Sequence, residues 1–424
     1  MEYLYNVAQK YHVIDKIQLN TNVEEIRYIE EDQEWEVTLC HLPNTQGYRR
    51  HINDMNDRDK KLTPVLELVR AKLVISCVGI LCRPNLWPED VSGREIFRGE
   101  IVHSSQWDHQ IDPREKDIVV IGSGCSAAQI IPSLLKQDIK SVTQIMRTPP
   151  WINPRVDEPF GEKLYARFAP LVFRYFPVLG FCMRHLIRLY TELEWIFVFQ
   201  EKSSFVRQIA ENEALKHMRL KANPRYHQAL TPTYSYGCKR RVFDSVWLES
   251  THDSRFSLQT HLVERLEARS LVIRSSGEDV VCECRELPAD IIILANGFQS
   301  TEFLHSLQVY GRQGLLLQNH WDQRGGPQAY MGAAVDGFPN FFLVVGPNTF
   351  VGHTSAILSI ESTVQYIIRI ITPILQGKVT TVEPTTEAII NWTERIQKAM
   401  EKTVFGSCNS WYQDKRGHNT IIYP

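Results

Sequence analysis

Residues 118–127 read Ile-Val-Val-Ile-Gly-Ser-Gly-Cys-Ser-Ala, directly after Asp117. Asp117–Ile121 is apolar with almost no alternation, the pattern of a strand buried on both faces in a parallel sheet. A small-residue turn follows, then a helix over Ser126–Gln137 and a second strand over Val142–Met146. Strand, glycine turn and helix in that order are the setting of a dinucleotide-binding fingerprint. Gly122 permits the tight turn, and Gly124 lets backbone approach a pyrophosphate. Ala127 lets the helix pack close to the strand. Ser126 opens the helix, whose N-terminus offers free N–H groups and partial positive charge to phosphates. An ordinary strand–helix turn is the competing reading. At the end of the second strand a site for NADH would carry a carboxylate for the ribose hydroxyl. This chain has Arg147-Thr148 there, and a guanidinium suits a 2′-phosphate, so NADPH is the expected nucleotide.

Just upstream, residues 97–108 read Phe-Arg-Gly-Glu-Ile-Val-His-Ser-Ser-Gln-Trp-Asp. This Phe-x-Gly-x-x-x-His-x-x-x-Trp-Asp pattern resembles the signature of the Baeyer–Villiger monooxygenases, a flavin- and NADPH-dependent class. The resemblance implies a linker between flavin and NADPH domains, in which His103 couples nucleotide binding to the active site. Gly99 permits a sharp turn. The related flavin-containing monooxygenases, which oxidise nitrogen and sulfur, lack the Trp-Asp ending, so Trp107-Asp108 favours the Baeyer–Villiger branch.

Gly237-Cys-Lys-Arg-Arg241 resembles the family's Gly-x-Lys-Arg element. By that likeness Lys239 is similar to the lysine on the NADPH 2′-phosphate. Arg240 is similar to the arginine beside the flavin that steadies a peroxide anion, a role suited to a permanently charged guanidinium. The bland alternative is a solvated basic turn. Ser76-Cys-Val-Gly79 and Leu294-Ala-Asn-Gly297-Phe298 end apolar strands as the family's nucleotide-contacting segments do. Gly346-Pro-Asn348 and Gly352-His353-Thr-Ser355 precede a long helix, as in the family near the flavin ring. The resemblance therefore adds Gly297, Asn348 and His353 to the cofactor-binding set, and makes Arg240 and His103 the catalytic candidates. Trp151, Tyr234 and Tyr236 are candidate pocket walls, with core packing as the alternative.

The implied fold is α/β, a two-dinucleotide-binding-domain flavoprotein with the NADPH domain inserted in the FAD domain. Residues 1–98 and 286–424 would form the FAD part, and 99–285 the NADPH part, with a helical substrate-covering insertion at about 151–235. No glycine triplet occurs before residue 79, so the first FAD βαβ unit is expected to be missing. A fragment of a working enzyme, an inactive relic, and a reduced protein that takes up flavin another way all accord with that. The implied cofactors are FAD and NADPH. The implied reaction inserts one oxygen atom of O2 into a ketone through a C4a-peroxyflavin. The rivals are N- or S-hydroxylation by a flavin monooxygenase and a non-catalytic NADP-binding protein.

The remaining sequence narrows the classes. The 424 residues are 43% hydrophobic with a formal charge of -2, enough for two or three domains and no pointer to nucleic acid. The nine cysteines are scattered without paired CxxC units, so free thiols in a cytoplasmic protein and no metal are expected. Arg174, Arg184, Arg188, Glu192 and Glu194 interrupt the apolar region 168–200. It reads as one or two buried helices lining a pocket, without membrane contact. Elsewhere a helix is expected over 2–11, strands at Lys16–Leu19, Val23–Ile29, Trp35–Leu39, Leu73–Val78, Asp290–Ala295 and Phe341–Val345, and a helix over Ser355–Leu375. Residues 44–63 read as a polar surface loop.

Overall fold

A computed structural model describes the chain except residues 1, 43–64, 156–157, 159, 203, 245, 275–283, 305–306, 407–409, 415 and 424. The expected 44–63 loop lies outside the described residues. The chain divides into two compact units: 1–79 with 303–346 and 363–390, and 80–302 with 347–362 and 391–424.

The second unit is built on a five-stranded sheet. Its order is Phe256–Gln259, Ser141–Ile145, Asp117–Ile121, Ile291–Leu294, Glu100–His103. All four pairings are parallel. Two cores explain the missing alternation in Asp117–Ile121. Ile118 and Val120 pack with Ala127, Ala128, Ile131 and Trp247, while Val119 packs with Leu266, Leu271 and Ile273 on the other face. Those last three belong to an antiparallel sheet, Leu262–Leu266, Ser270–Arg274 and Cys284–Pro288. Both faces are covered, as a parallel sheet requires. The expected boundary at residue 285 falls inside this unit, because Ile291–Leu294 hydrogen-bonds directly to Asp117–Ile121. The fingerprint helix spans Cys125–Leu135 and continues through Pro132, which leaves only the Ala128 carbonyl without its usual donor.

Three helices, Glu162–Tyr175, Pro177–Glu194 and Ser204–Lys221, fill most of the 151–235 insertion. The first two are not buried, contrary to the sequence expectation: among their residues only Ala169 is buried. An apolar run cannot tell core from surface, because periodicity gives no account of what packs outside it.

The first unit carries a four-stranded sheet ordered Gln308–Tyr310, Thr21–Ile29, Glu34–His41, Val65–Ala71. Trp35 is fully buried, lies 5.6 Å from the Phe341 ring and donates from Nε1 to the Pro339 carbonyl at 2.8 Å. Lys16–Leu19 is not a strand. Residues Ile14–Lys16 form a short 3-10 turn, and pairing begins at Thr21. Val65–Ala71, an exposed edge strand, was not foreseen. Val74–Ser76 and Phe341–Leu343 form a separate parallel pair. The Ala356–Leu375 helix is long and apolar enough to cross a membrane by length and composition only. Among the described cysteines six are free thiols, but Cys238 is disulfide-bonded, which departs from the expectation of free thiols throughout.

Candidate functional site

The glycine turn sits where the sheet order reverses, between Asp117–Ile121 and Ile291–Leu294, the position at which open parallel sheets take ligands. Gly122 has φ +137°, and a Cβ there would stand 2.2 Å from the Ala295 carbonyl oxygen. No other residue fits that crossing. Gly124 differs: no described residue lies within 4 Å of its would-be Cβ, which leaves space beside it. Gly124 also caps the helix without a side-chain bond, leaving first-turn N–H groups available. Ser126 is exposed there, and Ala127 is fully buried against the sheet.

The turn is tied to the next strand. Gly122 N–H donates to the Ile145 carbonyl at 2.9 Å, and the Gln144 amide donates to the Gly122 carbonyl at 2.9 Å. Trp247 Nε1 donates to Gln144 Oε1 at 3.1 Å and fixes that side chain. Ser123 Oγ donates to the Thr148 carbonyl at 2.8 Å. These bonds hold Arg147 and Thr148 at the side of the turn.

Lys239 joins them from far along the chain. Burial, and then the charge of Arg147, push its ammonium below its usual range. Its Nζ lies 4.9 Å from the Tyr234 ring centroid. Burial pushes the Tyr234 phenol up to about 12, so that ring stays neutral. Neither Lys239 nor Arg147 forms an ion pair with a described residue. Two cations therefore share a corner without a protein counter-charge, beside a helix N-terminus. That corner has the chemistry of a phosphate site, and the open space at Gly124 leaves room for the pyrophosphate. The residues present fit NADPH.

Trp151 and Tyr236 are buried scaffolding rather than pocket walls. Trp151 Nε1 donates to the Tyr234 carbonyl at 2.9 Å and meets the Tyr236 ring edge-on at 5.5 Å. The Tyr236 hydroxyl receives Asn153 Nδ2 and, at 3.1 Å, Arg241 Nη1. Arg241 also clasps Glu194 through both terminal nitrogens. This buried Glu194–Arg241 pair was not foreseen, since its members are distant in sequence. It anchors the basic turn from behind and leaves its neighbour Arg240 exposed.

Arg240 lines a cavity of about 310 Å³ with Cys125, Gln129, His353, Thr354 and Tyr412. Its guanidinium carbon lies 5.8 Å from the Phe350 ring centroid, and it has no ion pair with a described residue. The His353 ring packs 4.9 Å from Trp195, its Nε2 lies 3.8 Å from Glu192 Oε2, and neither ring nitrogen is hydrogen-bonded to a described residue. Burial pushes its pKa down, against the pull of Glu192 and Glu194.

His103 and Gly297 form another group. His103 ends the Glu100–His103 strand opposite Leu294. Its Nδ1 accepts from Ser105 N–H at 3.2 Å, so Nε2 carries the proton and donates to the Gly297 carbonyl at 3.1 Å. That carbonyl also receives the Asn85 N–H at 2.9 Å. Burial lowers the His103 pKa. With both nitrogens engaged, His103 positions the 296–298 turn rather than facing a reacting atom. Asn348 likewise spends its side-chain amide on the carbonyls of Asn419 at 2.8 Å and Ile422 at 2.9 Å. It pins the C-terminal segment.

A sequence profile described as flavin-binding monooxygenase-like matches residues 1–184. The FAD-binding monooxygenase ktnD of Aspergillus niger is 31% identical over 100% of this chain and 66% of its own length. A Baeyer–Villiger monooxygenase of Streptomyces coelicolor is 31% identical over 91% of this chain and 73% of its own length. The chain thus spans about two thirds to three quarters of these relatives. Among solved structures, a steroid monooxygenase bound to NADP superposes with a TM-score of 0.75 at 23% identity, covering 100% of this chain and 79% of that one. A Rhodococcus cyclohexanone monooxygenase bound to NADP+ gives 0.73 at 22% identity, covering 99% and 78%.

Proposed function

The chain belongs to the Baeyer–Villiger monooxygenase family of flavin-binding monooxygenases, and we propose that it uses NADPH, FAD and O2 to insert one oxygen atom into a small-molecule ketone. One observation supports this above the others: Lys239 and Arg147 place two uncompensated cations beside the helix N-terminus at the switch point.

The roles proposed for this chain's own residues follow from that corner. The N–H groups at the start of the Cys125–Leu135 helix, with Ser126, hold the pyrophosphate. Gly122 keeps the turn tight against Ala295. Arg147 and Lys239 take the 2′-phosphate, with Thr148 bordering it. Arg240, in the cavity with His353, supplies fixed positive charge where negative charge develops on oxygen. His103 holds the Gly297 carbonyl and so the turn beside Ala295.

For the flavin the fit is partial. Gly79, φ +74° with no described residue within 4 Å of a would-be Cβ, lies three residues beyond the Val74–Ser76 strand. No strand–glycine–helix turn precedes it in the sequence, so no residue here is assigned to the flavin pyrophosphate. When bound, the flavin supplies electron storage and O2 activation. Support for flavin use comes from family membership.

The test is product analysis. The purified chain with NADPH and added FAD is offered a ketone, a tertiary amine and a thioether. An ester or lactone from the ketone is the expected product. Oxygenation of only the amine or thioether would transfer the chain to the hydroxylating rival. Failure to take up flavin, with NADPH still bound, would support the non-catalytic reading.

A further inference from the structure

The helical hairpin of Glu162–Tyr175 and Pro177–Glu194 carries a broad apolar surface that lies in solvent. Tyr175 is 73% exposed, Val178 69% and Tyr190 69%, with Phe176, Phe181 and Leu186 exposed as well. A monomer seldom exposes so large an apolar patch without a partner for it. The two helices pack on each other only through a few contacts, such as Phe173 beside Gly180.

The charges on the hairpin indicate what covers it. Between Glu162 and Glu192 there is no acidic residue, while Lys163, Arg167, Arg174, Arg184 and Arg188 carry five positive charges in a protein whose net charge is -2. On a helix turning 100° per residue, Lys163, Arg167 and Arg174 fall within about 40° of one another. Arg184 and Arg188, four apart, share a face of the second helix. None of the five forms an ion pair with a described residue. Cation stripes with exposed aromatic and aliphatic side chains between them, and Tyr175 and Phe176 at the bend, are the composition of helices that lie in a bilayer interface. A second copy meeting this one through the apolar faces would leave the five cations unpartnered, whereas an anionic bilayer meets both. The arginines also break any span of the length a bilayer crossing needs.

We propose that this hairpin docks the protein in the headgroup region of an anionic lipid bilayer, with its helices parallel to the membrane plane. This reverses the sequence expectation of no membrane contact. It is independent of the proposed chemistry, since it uses no residue of the nucleotide corner or the cavity.

The test is vesicle flotation of the intact chain. Phosphatidylcholine vesicles are compared with vesicles that also contain phosphatidylglycerol. The protein is expected to float with the anionic vesicles only, and to be released at high salt. Arg184→Gln with Arg188→Gln should lower partitioning about thirtyfold, taking each surface cation as worth one step of that interaction. Val178→Ser with Leu186→Ser should also lower it, by removing inserted apolar surface. All four positions are exposed, and circular dichroism checks that the variants fold. No flotation with anionic vesicles, equal flotation with neutral ones, or variants that float like the wild type would each overturn the proposal. So would wild-type dimers that the Val178→Ser/Leu186→Ser pair disperses, in the absence of vesicle binding.

Discussion

Substituting Lys239 by Met gives the sharpest reading of the nucleotide corner. Met keeps most of the aliphatic stem over Tyr234 and deletes the charge. In the free protein the ammonium is held below its usual pKa by burial and by Arg147. It is therefore an unfavourable charge until an anion arrives. Removing it should leave thermal stability unchanged or slightly higher near neutral pH. A hydrogen bond to a charged partner is worth ~1.5–3 kcal/mol, so NADPH affinity should fall by about 10- to 150-fold. NADH lacks the 2′-phosphate and should bind unchanged. The assay is a titration of both nucleotides by intrinsic fluorescence, with Tm measured on the same samples. Equal losses for NADPH and NADH would refute the assignment, because they would place Lys239 on a part common to both. A large fall in Tm would refute the electrostatic argument.

Three further outcomes test the scaffold. Gly122→Ala puts a Cβ 2.2 Å from the Ala295 carbonyl oxygen at a φ that L-residues avoid; chemical denaturation should show a loss of roughly 3 kcal/mol or more. Glu194→Gln leaves Arg241 buried without its counter-charge and should cost about 3–5 kcal/mol. The double variant Glu194→Leu/Arg241→Met should lose less than the single one, and a larger loss would show that the pair is not the unit. Burial pushes the Asp336 carboxyl up, but hydrogen bonds from His320, Arg324 and Thr386 outweigh it and hold the pKa well below the usual range. Its stabilisation is thus complete above the unfolded value of ~3.9 and fades as pH falls toward the folded one. Asp336→Asn should destabilise the protein at pH 7 and flatten the acid limb of its stability–pH curve, and an unchanged limb would contradict this.

What could be read in the sequence was local. The glycine turn declares itself because strand, turn and helix are contiguous and each small residue answers a nearby constraint. The helices at 125–135 and 356–375, and the strands at 21–29, 34–41, 117–121 and 291–294, came out within a few residues for the same reason. The errors share a cause too. Lys16–Leu19 is apolar enough for a strand, but pairing with residues 34–41 starts only at Thr21. Val65–Ala71 is an edge strand exposed along most of its length, so the half-buried alternation that betrays a strand is absent. His103 and Asn348 look like ligand-facing residues in a motif, yet the structure engages them in internal hydrogen bonds that no spacing reveals.

The nucleotide corner falls between these cases. Arg147 is readable as the residue where a carboxylate would otherwise stand, and Lys239 only through its resemblance to a motif. Their juxtaposition depends on the insertion between them folding back onto the strand ends. The Glu194–Arg241 pair and the Trp151–Tyr234 hydrogen bond achieve that, and of these four only Arg241 adjoins a motif. Under the proposed assignment of Lys239 and Arg147, specificity for the phosphorylated nucleotide is thereby linked to the helical insertion. Glu194 closes the exposed hairpin at one end and clasps the basic turn at the other. A perturbation of the hairpin that disturbs Glu194 should therefore reach NADPH affinity, whereas Val178 and Leu186, nearer the hairpin bend, should leave it alone.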